Sequence, residues 1–318
     1  MSSSGASAYS RETGWLRTLA GVVVATLTPF DADGRLDVAG VLPYVDFLVA
    51  GGVSALMVGG TTSEFIALTT DEREELIRTA VRGARARVPV IAHVGHVNLR
   101  EALHLGEAAA RAGSDAITSV VPYYHAHTQA AIVEHLRAQA RALPHLPFVV
   151  YNYPAAAANR LEAEAFAELL EEPNVAGIKL SVATLGELVP FMRFAPQVCV
   201  MSGNDAIWEQ FVALGGRAVV SGNAAVVPEL TTRILQAWLD GDLTEARRLA
   251  PLLEEVMTLG WAGAPGPLKE LLRTRGLDLG PARVHSIAAS EAADRPLPSA
   301  ELRRAVSWEL SPAPAATT

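Results

Sequence analysis

Cysteine and lysine are nearly absent from this chain of 318 residues. Cys199 is the only cysteine, which excludes an intrachain disulfide and any metal site built from several thiolates. Lys179 and Lys269 are the only lysines among the 26 basic residues, and all the others are arginines. Chemistry that requires a lysine amine therefore has two candidates.

A basic surplus and long apolar runs are missing as well. The 34 acidic residues outnumber the 26 basic ones and give a net charge of −8, which argues against a nucleic-acid or anionic-membrane partner. The longest early apolar run, residues 21–27, is far shorter than the roughly 18 residues that cross a bilayer, and it makes a poor secretory signal. Half of the residues are hydrophobic and 19% are charged, so the chain can bury a large core. Since neither a membrane span nor a secretory signal is indicated, we expect a soluble, cytoplasmic protein.

Eight short apolar or β-branched runs recur along the chain, each followed by an amphipathic stretch rich in alanine and leucine. Their spacing fits strand–helix units and is too long for hairpins. Strands enclosed by helices predict a parallel sheet, and eight of them predict a closed (β/α)8 TIM barrel. An open, doubly wound sheet is the rival fold, but no Gly-x-Gly-x-x-Gly motif opens the first helix. The predicted strands cover residues 21–28, 55–58, 89–93, 116–120, 147–151, 175–179, 199–202 and 218–221.

Local signals also predict helices and domain limits. Thr70 precedes a cluster of acids, as at a helix start, and Gly113 is a typical stop for a helix over residues 98–112; residues 128–142 show the same helical pattern. Additional helices are predicted at 228–240, 243–259 and 267–274, and a short one at 301–308 after an irregular stretch at 278–300. We expect an N-terminal extension (1–20), a barrel (21–240), a C-terminal helical extension (241–310) and a disordered tail (311–318).

Lys179 ends the sixth predicted strand, and in a barrel of this kind the chemistry lies at the carboxyl ends of the strands. Burial of an ammonium group costs several kcal/mol unless it is paired, and a buried amine that loses its proton becomes a nucleophile towards carbonyls. The alternative is an interior lysine paired with a carboxylate. Lys269 lies in an amphipathic helical pattern, which predicts a solvated surface position.

Hydroxyl-bearing residues follow two other strands. Tyr151 ends the fifth strand, so its side chain and that of Lys179 are expected on neighbouring strands about 4.8 Å apart, where a phenol could move protons. Thr61 and Thr62 lie in a tight turn before a helical segment, where hydroxyl and N–H groups could hold a carboxylate. The alternatives are a tyrosine that caps the barrel and ordinary helix-capping chemistry in the turn.

Together these residues resemble the N-acetylneuraminate lyase / dihydrodipicolinate synthase family of Schiff-base class I aldolases. The resemblance runs from about residue 21 to about residue 274, with motifs at successive strand ends. These motifs are Thr26-Leu27-Thr28-Pro29-Phe30, Gly60-Thr61-Thr62-Ser63-Glu64, Pro122-Tyr123-Tyr124, Tyr151-Asn152-Tyr153-Pro154 and Gly177-Ile178-Lys179.

The resemblance implies an imine between Lys179 and pyruvate or another 2-oxo acid, with no cofactor and no metal. By matching position, Tyr151 would be the proton shuttle, and Thr61 and Thr62 would hold the carboxylate of the 2-oxo acid. Tyr124 matches a tyrosine that, in some members, reaches into a neighbouring subunit's site and completes a proton relay with Thr61 and Tyr151. A homo-oligomer, either a dimer or a tetramer, is therefore expected.

Further residues near the rim concern the second substrate. Asp205 matches a position that touches substrate hydroxyls in sialic-acid lyases, although it could instead begin the next helix. Asn223 either faces the pocket or shapes its own loop. A polar or mixed acceptor without a strong carboxylate clamp is favoured by the side-pocket candidates Tyr153, Ala156, His93, His125, Asp205 and Asn223. Four histidines, His93, His96, His125 and His127, lack a carboxylate at diagnostic spacing, so we expect substrate contacts or loop surface and no metal.

Two departures bear on the reaction. Ser63 replaces the second glycine of the family's Gly-Thr-Thr-Gly-Glu motif and would be strained if that position needs a positive φ. Ala156 stands where the dihydrodipicolinate synthase branch has an arginine that holds the aldehyde's carboxylate. We therefore favour a 2-oxo-acid-dependent aldolase or lyase. The alternatives are a Schiff-base dehydratase or hydratase-aldolase of a sugar-derived 2-oxo acid, dihydrodipicolinate synthase proper, and a non-catalytic binding or scaffold barrel.

Overall fold

The computed structural model describes residues 14–260, 264–284 and 297–308. Eight parallel strands pair in sequence order, and β8 returns to pair with β1, which closes the barrel. The predicted (β/α)8 TIM barrel is thereby confirmed. The strands are β1 (Gly21–Ala25), β2 (Ala55–Val58), β3 (Val90–His93), β4 (Ala116–Val120), β5 (Phe148–Asn152), β6 (Val175–Leu180), β7 (Cys199–Ser202) and β8 (Ala218–Ser221).

Helices connect the strands and begin where the sequence signals them. The side chain of Thr69 accepts from the backbone N–H of Glu72 in a capping box, and Gly113 ends its helix with a φ of 83°. The helices are α1 (Trp15–Thr18), α2 (Val38–Ala50), α3 (Thr70–Ala84), α4 (Leu99–Ala112), α5 (Gln129–Ala142), α6 (Pro154–Ala157), α7 (Ala163–Leu169), α8 (Leu185–Met192), α9 (Trp208–Ala213), α10 (Pro228–Asp240), α11 (Leu243–Leu259), α12 (Pro265–Thr274) and α13 (Ala300–Ala305). Short 3-10 helices span Phe65–Ala67, Asp205–Ile207 and Asn223–Ala225.

The first strand is shorter than predicted, because it ends at Ala25 and not at residue 28. The two threonines that follow bond to the turn after β2. The hydroxyl of Thr28 donates to the carbonyl of Ser63 at 2.7 Å, and the hydroxyl of Ser63 donates to the carbonyl of Thr26 at 2.5 Å. These bonds turn the chain away from the sheet. They also hold the loop that follows β2, residues 59–64 (the β2 loop), against the barrel rim.

The interior of the barrel is a packed core and not a channel. Side chains from several strands meet along the axis, among them Val23, Met57 and Met201. The short helix α1 adds the fully buried Leu16 to the same cluster, so part of the predicted N-terminal extension packs on the barrel. Because the middle of the barrel is filled, side chains with free polar groups can meet a ligand only at its ends.

The chain after β8 supplies the helices α10 to α13, as the pattern predicts. Between α12 and α13 the segment 278–284 returns to the β2 loop. There the backbone N–H groups of Arg283 and Val284 donate to Glu64 Oε2 at 2.6 and 2.7 Å. The predicted tail at 311–318 lies outside the described residues, as does 285–296 of the predicted irregular stretch.

Lys269 was expected on the surface, and that expectation is wrong. It is 1% exposed, its Nζ lies 3.1 Å from Glu64 Oε1, and it donates to the carbonyl of Pro281 at 2.8 Å. Burial lowers the pKa of Lys269 to about 8, against the opposing charge of Glu64. The helical pattern could not show this arrangement, because the segment that covers the polar side of α12 comes from residues farther along the chain.

Replacement of Lys269 by methionine would leave the buried carboxylate of Glu64 without its cation. We expect the free energy of unfolding of Lys269→Met to fall by about 3–5 kcal/mol, measured by urea denaturation. Arg78→Met is the matched control, because Arg78 pairs with Glu75 at the surface of α3 and its loss should cost under about 1 kcal/mol. Equal losses in the two variants would contradict the assignment.

Candidate active site

A cavity of about 290 Å³ opens at the carboxyl end of the barrel. Its wall is formed by the ends of several strands and by the loops that follow them. The candidate residues that line it together are Thr61, Thr62, Tyr151, Tyr153, Lys179, Asp205 and Asn223. Among the candidates named from the sequence, Tyr124, Ala156 and the four histidines do not line it.

Lys179 is the buried amine of this cavity. It is 5% exposed on β6, in register with Tyr151 on β5, and its Nζ lies 4.0 Å from the centre of the Tyr151 ring. Within the described part of the chain Lys269 forms a salt bridge, whereas Lys179 forms none. The alternative of an interior lysine neutralised by a contacting carboxylate therefore receives no support from the structure.

Gly203, which sequence reasoning did not single out, makes room for the Lys179 side chain. A Cβ at this position would lie 3.1 Å from Cε of Lys179 and 2.3 Å from Oγ of Ser181. Ser181 itself lines the cavity one residue after β6. A glycine directly after a predicted strand was the available signal, since such glycines often mark a close approach.

The hydroxyl of Tyr151 is joined to the β2 loop. It lies 3.2 Å from the hydroxyl of Thr61, within hydrogen-bond distance. The ring of Tyr153 stacks on that of Tyr151 with centroids 6.0 Å apart. Phenol, threonine hydroxyl and lysine amine thus face one space, which is the arrangement needed to pass a proton to or from a group held beside the amine.

The turn that carries Thr61 and Thr62 is rigid, but its strain is not where it was expected. Ser63 is buried without a positive φ, and its hydroxyl accepts from the N–H of Gly59 at 3.0 Å. The left-handed residue is Glu64, with a φ of 62°. The condition for strain at Ser63 is therefore not met, because the left-handed backbone comes one residue later, at Glu64, whose carboxylate accepts from the N–H groups of Arg283 and Val284.

Asp205 faces the cavity from the opposite side. Its Oδ2 accepts from the hydroxyl of Ser221 at 2.6 Å and from the amide of Asn223 at 2.7 Å. The helix cap is provided by its neighbour Asn204, whose side chain accepts from the N–H of Ala206 at 3.0 Å. Burial raises the pKa of Asp205, against the lowering effect of the two hydrogen bonds and of Lys179. Its carboxylate is thus a cavity group and not a cap.

Tyr124 lies away from the cavity of its own chain. It is 82% exposed and has a φ of 79°, and its ring meets that of His125 edge-on with centroids 4.8 Å apart. His125 and His127 are exposed in the same loop. His125 is therefore a loop-surface residue, which was one of the two expectations for the histidines, and it does not line the side pocket.

His93 was also expected at the side pocket and is instead fully buried beneath Tyr151. Its Nε2 accepts from the N–H of Val120 at 3.3 Å, so the ring proton is assigned to Nδ1, which donates to the carbonyl of Gly59 at 2.9 Å. Burial, followed by the nearby charge of Arg73, holds the pKa of His93 well below its ordinary value. His93 is therefore neutral and fastens β3 to the β2 loop.

The loop after β5 has no cation for an anionic ligand. Ala155 lines the cavity, while Ala156 is exposed outside the lining. Arg160 forms a salt bridge of 2.6 Å with Glu187 at the rim.

Among the described residues no group of three or more His, Cys, Asp or Glu side chains could hold a metal ion. None of the described helices is both long enough and apolar enough to pass through a membrane.

Comparison with known proteins shows the family of this chain. The profile of the Dihydrodipicolinate synthetase family matches residues 18–297. Two relatives named 4-hydroxy-tetrahydrodipicolinate synthase, from Nitrosospira multiformis and Pseudomonas aeruginosa, are 36% and 35% identical; each match covers 81% of this chain, and 86% and 89% of the respective relative.

Solved structures show the same barrel. The dihydrodipicolinate synthase from Aquifex aeolicus superposes with a TM-score of 0.82 at 28% identity, covering 91% of this chain and 97% of the other. YagE, a prophage protein of the dihydrodipicolinic acid synthase family from E. coli K12, was solved in complex with pyruvate and superposes with a TM-score of 0.78 at 25% identity, covering 91% and 96%.

Barrel, cavity and relatives together define an enzyme of the lyase class. The chain belongs to the dihydrodipicolinate synthetase family. The resemblance inferred from the five strand-end motifs is confirmed, and so is the expectation of an enzyme.

The buried neutral His93 predicts a loss of stability in mild acid. The unfolded chain takes up a proton near pH 6.5, while the folded chain resists it until a lower pH. Below 6.5 the unfolded state therefore binds more protons, and the free energy of unfolding should fall by up to about 1.4 kcal/mol per pH unit. Urea denaturation between pH 7.5 and 5 measures the slope.

His93→Gln is the variant that tests this assignment. It should show a shallower slope than the parent protein, although His96 and His135, whose pKa values burial also lowers, remain. His125→Gln is the matched control, since His125 is exposed. A His93→Gln slope equal to that of the parent protein would show that His93 does not resist protonation.

Proposed function

We propose that this protein is a class I aldolase or lyase that acts through an imine between Lys179 and a 2-oxo acid such as pyruvate. The observation that carries this proposal is the buried amine of Lys179, which has no salt-bridge partner in the described structure and lies 4.0 Å from the ring centre of Tyr151 in an open cavity. The family of the chain supports the same reaction class.

The groups in the cavity suit each step of such a reaction. The Lys179 nitrogen attacks the ketone carbon, and loss of water leaves a protonated imine that withdraws electrons. The hydroxyl two carbons from the imine carbon then loses its proton, and the bond between that hydroxyl-bearing carbon and the carbon next to the imine breaks, which releases an aldehyde and leaves an enamine. In the reverse direction the enamine carbon attacks the aldehyde carbon, and the aldehyde oxygen takes up a proton. Tyr151, bonded to Thr61, carries the protons, and Thr61 and Thr62 hold the carboxylate of the 2-oxo acid. Imine chemistry of this kind needs neither a metal nor a cofactor.

The second substrate is proposed to be a hydroxylated aldehyde without a carboxylate. Asp205 offers a carboxylate held by Ser221 and Asn223, which suits hydroxyl donors and repels anions. Lys179 is the single cationic side chain among the described residues that line the cavity. An aldehyde that carries a carboxylate would require a second cationic side chain in the cavity to hold that carboxylate.

The synthase relatives are named for a different product, and the strand-5 loop supports a distinction from them. Ala155, Ala156 and Ala157 provide no donor for a second carboxylate there. Arg160, the nearest arginine along the chain, is bound to Glu187. We therefore favour the aldolase over dihydrodipicolinate synthase proper. Product analysis distinguishes the aldolase from a dehydratase, because a dehydratase yields no free aldehyde.

Assembly into a dimer or tetramer is part of the proposal. Tyr124 projects from the rim with a left-handed backbone and does not reach the Tyr151–Thr61 pair of its own chain. An exposed aromatic side chain held at such a strained position is consistent with a contact to a second copy. In this proposal Tyr124 completes the proton relay of a neighbouring subunit.

Reductive trapping tests the imine. Incubation with pyruvate and borohydride should modify Lys179 irreversibly and leave Lys269 unmodified, as read by peptide mass spectrometry; the only other lysine serves as an internal control. Lys179→Arg should not be trapped. Tyr151→Phe should still form the adduct but turn over about 10²- to 10⁴-fold more slowly. Folded protein that remains unmodified would remove the basis of the proposal.

Acceptor selection tests the role of Asp205. With pyruvate as donor we expect glyceraldehyde to be a better acceptor than succinic semialdehyde, measured as aldol product. Asp205→Ala should raise the KM for glyceraldehyde about 10- to 100-fold, because a hydrogen bond to a charged group is lost, while trapping by pyruvate persists. Ser221→Ala, which removes only one bond to Asp205, should have a smaller effect. A preference for the carboxylated aldehyde would contradict the assignment.

A further inference from the structure

Arg73 is a buried cation to which the described residues supply no neutralising carboxylate. It lies in the first turn of α3 and is 2% exposed. Among the described residues no carboxylate forms a salt bridge with its guanidinium, and the neighbouring Glu72 binds Arg283 instead. A helix N-terminus is already the positive end of the helix dipole, so the position adds to the cost of the charge.

Neutral groups surround the guanidinium. Its nitrogens donate to the carbonyl of Gly95 at 3.1 Å and to that of His93 at 2.9 Å, and Nε has no hydrogen-bond partner. The group lies 5.4 Å from the centre of the Phe65 ring. Burial lowers the pKa of Arg73 to about 10, so it is still protonated at neutral pH. The positive field is therefore uncompensated and weakly screened.

This field is directed at the cavity through His93. One guanidinium nitrogen of Arg73 lies 3.3 Å from Nδ1 of His93, which donates to the carbonyl of Gly59, two residues before Thr61. The His93 ring also meets that of Tyr151 edge-on, with centroids 6.2 Å apart. A neutral imidazole thus separates the cation from the Thr61–Thr62 turn and from Tyr151.

We propose that the carboxylate of the 2-oxo acid is the missing counter-charge of Arg73. Arg73 is in this view a specificity-determining residue that does not touch the substrate: its field favours an anion at the Thr61–Thr62 turn and so selects 2-oxo acids over neutral ketones. The inference rests on the function proposed above and adds to it the group that discriminates between ketones by charge.

The test compares two ketones of similar size that differ in charge, pyruvate and hydroxyacetone. The rate of borohydride trapping on Lys179 is measured against ketone concentration. Arg73→Met should raise the half-saturating concentration of pyruvate about tenfold or more, and should leave that of hydroxyacetone and both maximal rates within about twofold. Arg73→Lys, which keeps the charge, should restore most of the pyruvate affinity. Arg78→Met removes a surface charge from the same helix and should change neither ketone.

A purely structural role for Arg73 would impair both ketones together, and that result would overturn the proposal, as would an unchanged preference for pyruvate. If Arg73→Met does not fold, as judged by its melting curve, Arg73→Gln replaces it. Failure of the imine itself is detected separately. Lactate cannot form an imine, yet it should raise the melting temperature of the parent protein more than that of the Arg73 variant, and propane-1,2-diol should affect both alike. Equal shifts with lactate would refute the role of Arg73 whatever the reaction.

Discussion

The burial of one amine without a carboxylate in contact is the constraint on which this site depends. Lys179 ends β6 inside the rim of a packed barrel, where an ammonium group loses most of its hydration. The surroundings offer it the face of Tyr151 and, farther off, Asp205, rather than an ion pair. The buried position of Lys179 also requires glycine at position 203, because a Cβ there would take the space that the lysine side chain occupies. The neighbouring residues are therefore those that a reactive amine needs.

The second lysine lies in a different environment. Lys269 is equally buried, but it has Glu64, the carbonyl of Pro281 and the ring of Phe30 as partners. It stabilises the loop behind Thr61 and Thr62, and the segment 278–284 completes the same network. Lys269 thus has a structural role, while Lys179 faces the cavity. Composition alone made both lysines candidates for amine chemistry.

The sequence predicted the barrel because its signals are local and repeated. Eight β-branched runs, capped helices and strand-end motifs each depend on neighbours within a few residues, and five of the motifs lie where parallel strands converge. What could not be predicted depends on contacts between distant segments. The burial of Lys269 requires the returning segment near Arg283, and the inward position of His93 requires Arg73 and the carbonyl of Gly59. The role of the Ser63 hydroxyl likewise depends on Thr26, in the loop after β1.

These distant contacts also give the two sides of the cavity different charge. On the side of the β2 loop, we propose that the field of Arg73 and the hydroxyls of Thr61 and Thr62 favour a negative group. On the side of β7 and β8, the carboxylate of Asp205 disfavours one and accepts from hydroxyls. In the proposed function, a molecule with a carboxylate at one end and hydroxyls at the other would therefore lie with its carboxylate at the Thr61–Thr62 turn and its hydroxyls at Asp205. We propose that this orientation presents the ketone carbon next to the carboxylate to Lys179, so that the charge asymmetry of the cavity would select both the substrate and the atom that reacts.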